Sequence, residues 1–564
     1  MDYSPSSIGK SPFLKALLAS IAVVLVGVLL ISRILDTDTS GKTIAKASNQ
    51  KSYGSLERTL QKAKAAPKTS TGETYTHRLG YGFSDTDLGL YRKAFAATEA
   101  ADWKGANAAI TKIRDDVLVG SLLAKRYLSP EYQAEFPELS RWLKRYSDMP
   151  IADKVYDLAI QKKSPADQLK PIKEASAPLK GSGTRDGISG EVMPKAWQAG
   201  LEAWMDKEYH SAYDIFKTVA KERDISPWHR SAAHFWAYRA AKKSGYKEEA
   251  KLHLDEAAKA PFTLYGTLAR HALGDQEPLR ANLAALDRDL LAIPAIKRAA
   301  AYVALERLAD ADAELRQLFV QLPHRQKKQL ITVASKLNLP DLQLRMSQML
   351  YKDSSKSNGA AYPMPQWIPS YDMELDPALV FSIARQESGF DLDAVSSAGA
   401  MGVMQIMPDT ANYVLNKFTH SDNELVNQTI QEAKAKQNDS RYLRDPVLNL
   451  VLGQRYLAYL SEKDFINGNL IHLIAAYNAG PNVMQQWKKR FSNIKDPLLF
   501  VEMIPYKETR HYVKQVLTNY VIYNELIHGR SNDSFALMKG SWPTIATPSV
   551  RVAAAPSNLL AELK

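Results

Sequence analysis

The sequence predicts a mainly α protein in two parts: a solenoid of helix hairpins, then a compact domain with sharper punctuation. Three observations carry this. Over residues 88–351 apolar side chains recur at three- and four-residue spacing among Ala, Leu, Lys, Glu and Arg, and β-branched alternation is scarce. An aromatic residue followed closely by Ala recurs at Trp103 and Ala106, Tyr209 and Ala212, and Tyr246 and Ala250, each before a further amphipathic stretch. In a helical solenoid such an aromatic would fill the groove between paired helices while Ala permits their close approach. Beyond residue 366 the pattern changes to short apolar helices bounded by Asp, Pro and Gly.

At about 150 residues per domain, 564 residues are three or four domains' worth of chain. A composition of 45% hydrophobic and 24% charged residues excludes a disordered or fibrous protein. The absence of cysteine excludes disulfides, thiolate metal sites, a Cys nucleophile and a lipidated N-terminal Cys. A formal charge of +12 favours a polyanionic partner, whether nucleic acid, an anionic membrane surface or an acidic cell-wall polymer.

Taken in order along the chain, residues 1–36 read as a cytoplasmic stub and membrane anchor or signal. Lys10 and Lys15 precede an apolar run over residues 16–31 that Ile34 and Leu35 extend past Arg33. This is enough to span a bilayer if Arg33 snorkels toward the headgroups. The small-residue triplet at 45–47 lies too far downstream for a good cleavage site, so an uncleaved anchor is expected rather than a cleaved signal. Lysines before the run place the N-terminus inside and the body outside, which removes nucleic acid as the partner. Residues 37–86 read as a linker and 87–353 as the superhelical domain, broken near 175–190 where Ser, Gly, Pro and Lys crowd together. Turn signals at Ser129-Pro130, Ser226-Pro227 and Leu339-Pro340 separate its helices. The compact domain covers 366–530, and 531–564 is a tail.

Three elements of the compact domain carry chemistry. Asp376 caps a helix that Pro377 begins and Gly389 can stop in the left-handed conformation. Glu387 lies seven residues after Val380 and four after Ile383, so it falls on the apolar stripe of this helix with Ala384. A carboxylate so placed loses hydration, holds its proton more tightly and can act as a general acid near neutral pH. On this helix alone, Glu387 could equally turn to solvent or pair with Arg385. The second element, residues 396–408, begins at Ser396. Gly399 and Gly402 let its backbone approach a ligand, Met404 supplies adaptable apolar surface and Gln405 offers donor and acceptor. In the third, Leu470, Leu473, Ile474 and Tyr477 share one helical face, and Asn478 precedes the Gly480-Pro481 stop. Tyr477 therefore points inward, and its phenol needs a partner.

Together these elements resemble the catalytic domain of the lytic murein transglycosylases. The motifs stand here as Glu387-Ser388, Gly402-Val-Met-Gln-Ile-Met-Pro408 and Ala476-Tyr-Asn-Ala-Gly480, followed by a stretch from Glu502 through Arg510 to Tyr512. Val403 stands where Leu is usual. The upstream region resembles the superhelical domain of the soluble branch, on residues 136–146 and 261–269.

The resemblance implies a lysozyme-like fold and cleavage of the β-1,4 bond between N-acetylmuramic acid and N-acetylglucosamine. It makes Glu387 the acid and then the base, with 1,6-anhydromuramic ends as product. It places Ser396, Met404, Gln405, Tyr477, Asn478, Glu502 and Tyr512 on the saccharide, although Glu502 could instead be a structural partner of Arg510. The expected setting is the periplasm at the inner membrane, with peptidoglycan strands as substrate and other cell-wall proteins as partners of the superhelix. A hydrolytic goose-type relative and a non-catalytic wall scaffold are the alternatives. No metal-ligand spacing, phosphate-cradling loop or nucleophile elbow occurs, so neither metal nor cofactor is expected.

Overall fold

The computed structural model describes residues 76–172, 177–181, 193–275, 279–351, 359–367, 373–417, 424–436, 439–529 and 536–545. The expected anchor at 16–35, the linker up to residue 75 and the tail beyond 545 lie outside the described residues. Among the described residues no helix is long and apolar enough to cross a membrane.

Regular structure among the described residues is helical, joined only by isolated bridges such as Val395 with Met401 and Met401 with Ile406. The upstream helices are α1 Asp85–Glu99, α2 Trp103–Ile110, α3 Val119–Tyr127, α4 Phe136–Tyr146, α5 Ala152–Lys162, α6 Lys195–Met205, α7 Tyr209–Ala220 and α8 Pro227–Ser244. They continue as α9 Lys247–Ala258, α10 Leu264–Ala272, α11 Arg288–Leu291, α12 Pro294–Ala304, α13 Leu308–Gln321, α14 His324–Lys336 and α15 Pro340–Leu350. The compact domain holds α16 Pro377–Glu387, α17 Pro408–Lys417, α18 Glu424–Ala435, α19 Pro446–Ser461, α20 Leu470–Ala479, α21 Pro481–Arg490, α22 Pro497–Met503 and α23 Lys507–His528. The mainly α reading holds among the described residues: an array of helices joined by repeated turns leads into a domain of shorter helices.

The repeat lives in the turns. Ala101, Lys207, Gly245, Glu306 and Asn338 each sit just past a helix with positive φ, and a new helix begins two residues later. After each, the next backbone N–H reaches back to the helix just ended: Asp102 to Ala97, Glu208 to Ala203, Tyr246 to Ala241, Arg307 to Tyr302 and Leu339 to Ala334. These are Schellman closures, which satisfy helix-end carbonyls and reverse the chain in four residues. The sequence pattern located three of the five but misassigned the aromatic. Ala106, Ala212 and Ala250 are buried as expected. Trp103 and Tyr209 instead start their helices, and Tyr246 caps one, bonded to His210 Nδ1 at 2.6 Å. The groove is filled by other rings, with Trp197, Trp204 and Phe216 packed around the fully buried Trp236.

No packing break separates the compact domain from the helices before it. One hydrophobic core takes in Trp236, Leu254 and Leu268 upstream and Val380, Leu473 and Val516 downstream. Polar ties cross the same junction: Arg239 to Asp496 at 2.6 Å, and Arg270 and His271 both to Glu525 on α23. Glu525 is buried, so these partners replace the water it lost. Replacing Glu525 with Ala strips the acceptor from two buried donors and is expected to lower stability by about 3 kcal/mol. Chemical denaturation of the full chain measures this, and an unchanged midpoint would deny the junction its polar component.

Candidate active site

The long helix α23 lies alongside α16 and fixes it at three levels. His528 Nε2 meets Asp376 Oδ1 at 3.0 Å, Arg385 Nη1 donates to Asn519 Oδ1 at 2.9 Å, and Tyr512 OH donates to Glu387 Oε1 at 2.5 Å. Asp376 also caps α16, and Val380, Ile383 and Ala384 are fully buried, as the periodicity predicts. The helix stops where Gly389 takes φ +63°, and the next residue, Phe390, is left-handed too at φ +71°. A buried non-glycine residue in that region is strained. Phe390 is held there by Trp367 and Phe381, with ring centroids at 6.3 and 6.5 Å.

Glu387 ends α16 half-buried. Arg385 does not neutralise it: that guanidinium stacks over Tyr362 at 4.3 Å and donates to the Ala361 carbonyl at 3.1 Å. Burial pushes the Glu387 carboxyl up to about 7, opposed by the Tyr512 hydrogen bond and assisted by the negative charge of Glu508. The phenols of Tyr477 and Tyr512 are pushed up in turn by burial and by the charge of Glu387, which places all three groups in one field.

The glycine loop is tied to this carboxylate through its neighbour. Ser388 Oγ donates to the Val403 carbonyl at 2.8 Å. Gly402 has φ +73°, and a Cβ there would lie 2.2 Å from the Leu443 carbonyl oxygen and 2.5 Å from Asn449 Nδ2, so only glycine fits. Asn449, fully buried on α19, accepts from Met404 N at 2.7 Å and donates to the carbonyls of Met401 and Leu443. Gln405, at φ +49°, donates its amide to the carbonyls of Ala394 and Gly402 at 3.1 and 2.9 Å. Ser396 Oγ accepts from Ala400 N at 2.9 Å. From α20, Tyr477 OH donates to the Met404 carbonyl at 2.8 Å, and Asn478 Oδ1 accepts from Thr509 at 2.7 Å.

The structure thus brings Glu387, Tyr477 and Tyr512 together; Gln405 follows the Met404 carbonyl that Tyr477 holds, and Ser396 is bonded within its own loop. Two expected saccharide contacts are corrected. The Met404 side chain is fully buried, close against Gly453, so its part is its backbone; Met407, 39% exposed, is the open methionine of the run. Glu502 is 3% exposed and offers no surface to a sugar, because Tyr265 of α10 and Lys514 occupy its two carboxylate oxygens. Arg510, its suggested partner, donates to the Ile504 carbonyl instead. Sequence reasoning missed Asn449, Ser388 as a tie and Glu508 as the second charge. An Asn inside the apolar run Val447-Leu448-Asn449-Leu450-Val451 was the available signal, since a buried amide requires partners.

The sequence matches known families and proteins. Residues 369–500 match the family described as Transglycosylase SLT domain. Residues 503–532 match the one described as Soluble lytic transglycosylase helical domain, a match that falls on α23 rather than within 87–353. The soluble lytic murein transglycosylase of Escherichia coli is 36% identical over 144 residues, 26% of this chain and 20% of that protein. A membrane-bound lytic murein transglycosylase C of Haemophilus influenzae is 30% identical over 148 residues, 25% of this chain and 35% of that protein. This chain therefore spans between a fifth and about a third of the length of these curated relatives. Among solved structures, the 70 kDa soluble lytic transglycosylase of Escherichia coli aligns over 89% of this chain and 79% of its own, with TM-score 0.48 and 18% identity. The chain is similar to the lytic murein transglycosylases of the soluble type, on its compact domain.

Tyr512→Phe deletes the hydrogen bond that favours the charged form of Glu387. The Glu387 titration midpoint, followed by carboxyl carbon NMR, should rise from about 7, by about one pH unit. A midpoint that stays or falls removes Tyr512 from its role.

Proposed function

We propose that this protein is a peptidoglycan lytic transglycosylase, cleaving the β-1,4 bond between N-acetylmuramic acid and N-acetylglucosamine. The observation that carries the reading is a half-buried carboxyl, Glu387, with no cationic partner among the described residues and held near neutral titration by burial against one phenol hydrogen bond. Such a group is protonated often enough to donate and deprotonated often enough to accept. In the first step Glu387 gives its proton to the glycosidic oxygen as the C1–O bond breaks. In the second, the Glu387 carboxylate takes the proton of the muramic C6 hydroxyl, whose oxygen bonds to C1. The product is a 1,6-anhydro end, no water is consumed and the acid is regenerated.

Ser396, Gln405, Tyr477 and Asn478 orient the sugar in this reading. With both Gln405 amide bonds spent on the loop, its carbonyl oxygen is left to accept from an acetamido N–H. Tyr512, expected on the saccharide, is buried with its hydroxyl on Glu387 and in this reading acts through that carboxyl. Export to the periplasm with the 16–35 segment as inner-membrane anchor is supported by its apolar length.

Glu508 favours a second reading. Hydrolytic glycosidases pair an acid with a second carboxylate that activates water, and Glu508 is exposed and close enough to act on Glu387. Mass analysis of muropeptides separates the two, because the anhydro product is one water lighter than the hydrolytic one.

Glu387→Gln should release no anhydro ends from purified murein, and residual turnover would remove Glu387 from the chemistry. The same variant should be more stable than wild type above pH 7. The raised carboxyl resists ionisation in the folded state, so wild type loses stability as pH climbs from its ordinary 4.5 through about 7. The gain should be about 1–3 kcal/mol at pH 8 and vanish below pH 4.5. Thermal unfolding at the two pH values tests the sign.

A further inference from the structure

Four tyrosines form a connected row that ends at the site. Tyr413 of α17 lies 5.3 Å from Tyr459 of α19, Tyr459 lies 6.4 Å from Tyr456 at an interplanar angle of 25°, and Tyr456 lies 5.7 Å from Tyr477. All four are half-buried. On the same helix, Leu457 and Leu460 are fully buried in the core, while Tyr456 and Tyr459 pack against its edge and stay partly exposed. Two cations flank the outer end. Lys417 Nζ stands 4.6 Å and Lys463 Nζ 4.1 Å from the Tyr459 ring, and Lys417 also donates to Tyr413 OH at 3.0 Å. Glu462 is the acidic residue that acts on Lys417. Burial would push the Tyr459 phenol up, yet hydrogen bonds with Lys463 and Tyr413 and the lysine charges hold it below its ordinary value. Among these described groups the two lysines outnumber the one carboxylate.

Aromatic rings in a half-buried row suit the apolar faces of a sugar chain, while two ammonium groups beside one ring repel each other until an anion lies between them. We propose that Tyr413, Tyr459 and Tyr456, with Lys417 and Lys463, form a binding track that continues from Tyr477 and holds the murein strand beyond the reacting bond, the rings under its sugars and the lysines on its carboxylates. The inference rests on the substrate class proposed above and extends it to the charged groups of the strand. Murein carries carboxylates on its peptide stems and, once the stems are removed, on its lactyl ethers. Chitin oligosaccharides have the same backbone sugars and neither acid.

The test is equilibrium binding by the full chain, so turnover is not required. Carried in the Glu387→Gln background, Lys417→Ala with Lys463→Ala should raise Kd about 5- to 10-fold for stem-bearing strands at low salt. That difference should shrink at high salt. Loss on stem-bearing strands alone assigns the lysines to the stems, and equal loss on stem-free strands assigns them to the lactyl group; both support the track. Tyr459→Ala should weaken murein and chitin oligosaccharides alike. A lysine effect that is absent, or as large on chitin oligosaccharides as on murein, overturns the proposal. Wild-type protein that binds murein but releases no shortened strands overturns the enzymatic reading and leaves the track standing. Circular dichroism of each variant keeps the comparison to folded protein.

Discussion

The arrangement depends on one half-buried carboxyl, Glu387, whose partner among the described residues is a phenol and not a cation. Glu387 closes a helix whose other inward residues are Val380, Ile383 and Ala384, so the same periodicity that builds the core carries an acid to its edge. Nearby positive charge would settle it as a permanent anion. The candidate nearest in sequence, Arg385, is spent on Tyr362, Ala361 and Asn519. What remains is a phenol that can share a proton with the carboxyl and a second acid, Glu508, that raises the expense of ionisation. Desolvation and one like charge outweigh one hydrogen bond, and the carboxyl stays near neutral titration.

Such a site cannot be held by its own local structure, because a half-buried acid and a left-handed Phe390 are both unfavourable. The stability comes from elsewhere. Helix α23 fixes α16 at Asp376, Arg385 and Glu387, and is itself fixed to the upstream helices through Glu525 with Arg270 and His271. Glu502 adds a tie from α22 to Tyr265, and Asn449 pins the loop that Gly402 allows to come close. The helical array is thus part of the mount for the site, sharing one core with it.

Much of this was legible along the chain. The caps of α16, the stop at Gly389 and the inward placement of Glu387 and Tyr477 follow from spacing and residue type alone, and all are found. The aromatic-to-Ala repeat marked real hairpin turns, although its aromatics begin or cap helices rather than fill grooves. Met404 and Glu502 were misread for a common reason. A motif names a residue without saying which of its atoms faces the ligand, and here a backbone carbonyl and a buried anchor stand where surface contacts were expected.

Local order, then, was determined by the sequence itself: helix periods, capping residues, left-handed glycines and the acid on an apolar stripe are properties of neighbours within a few positions. Which groups meet across long separations was decided by the tertiary structure. Tyr512 with Glu387, Asn449 with Met404, Tyr413 with Tyr459, and Tyr456 with Tyr477 pair residues of different elements, and no local preference encodes their approach. The physical reason is that proton affinity and hydrogen-bond satisfaction depend on what surrounds a group in space, and only packing sets those surroundings.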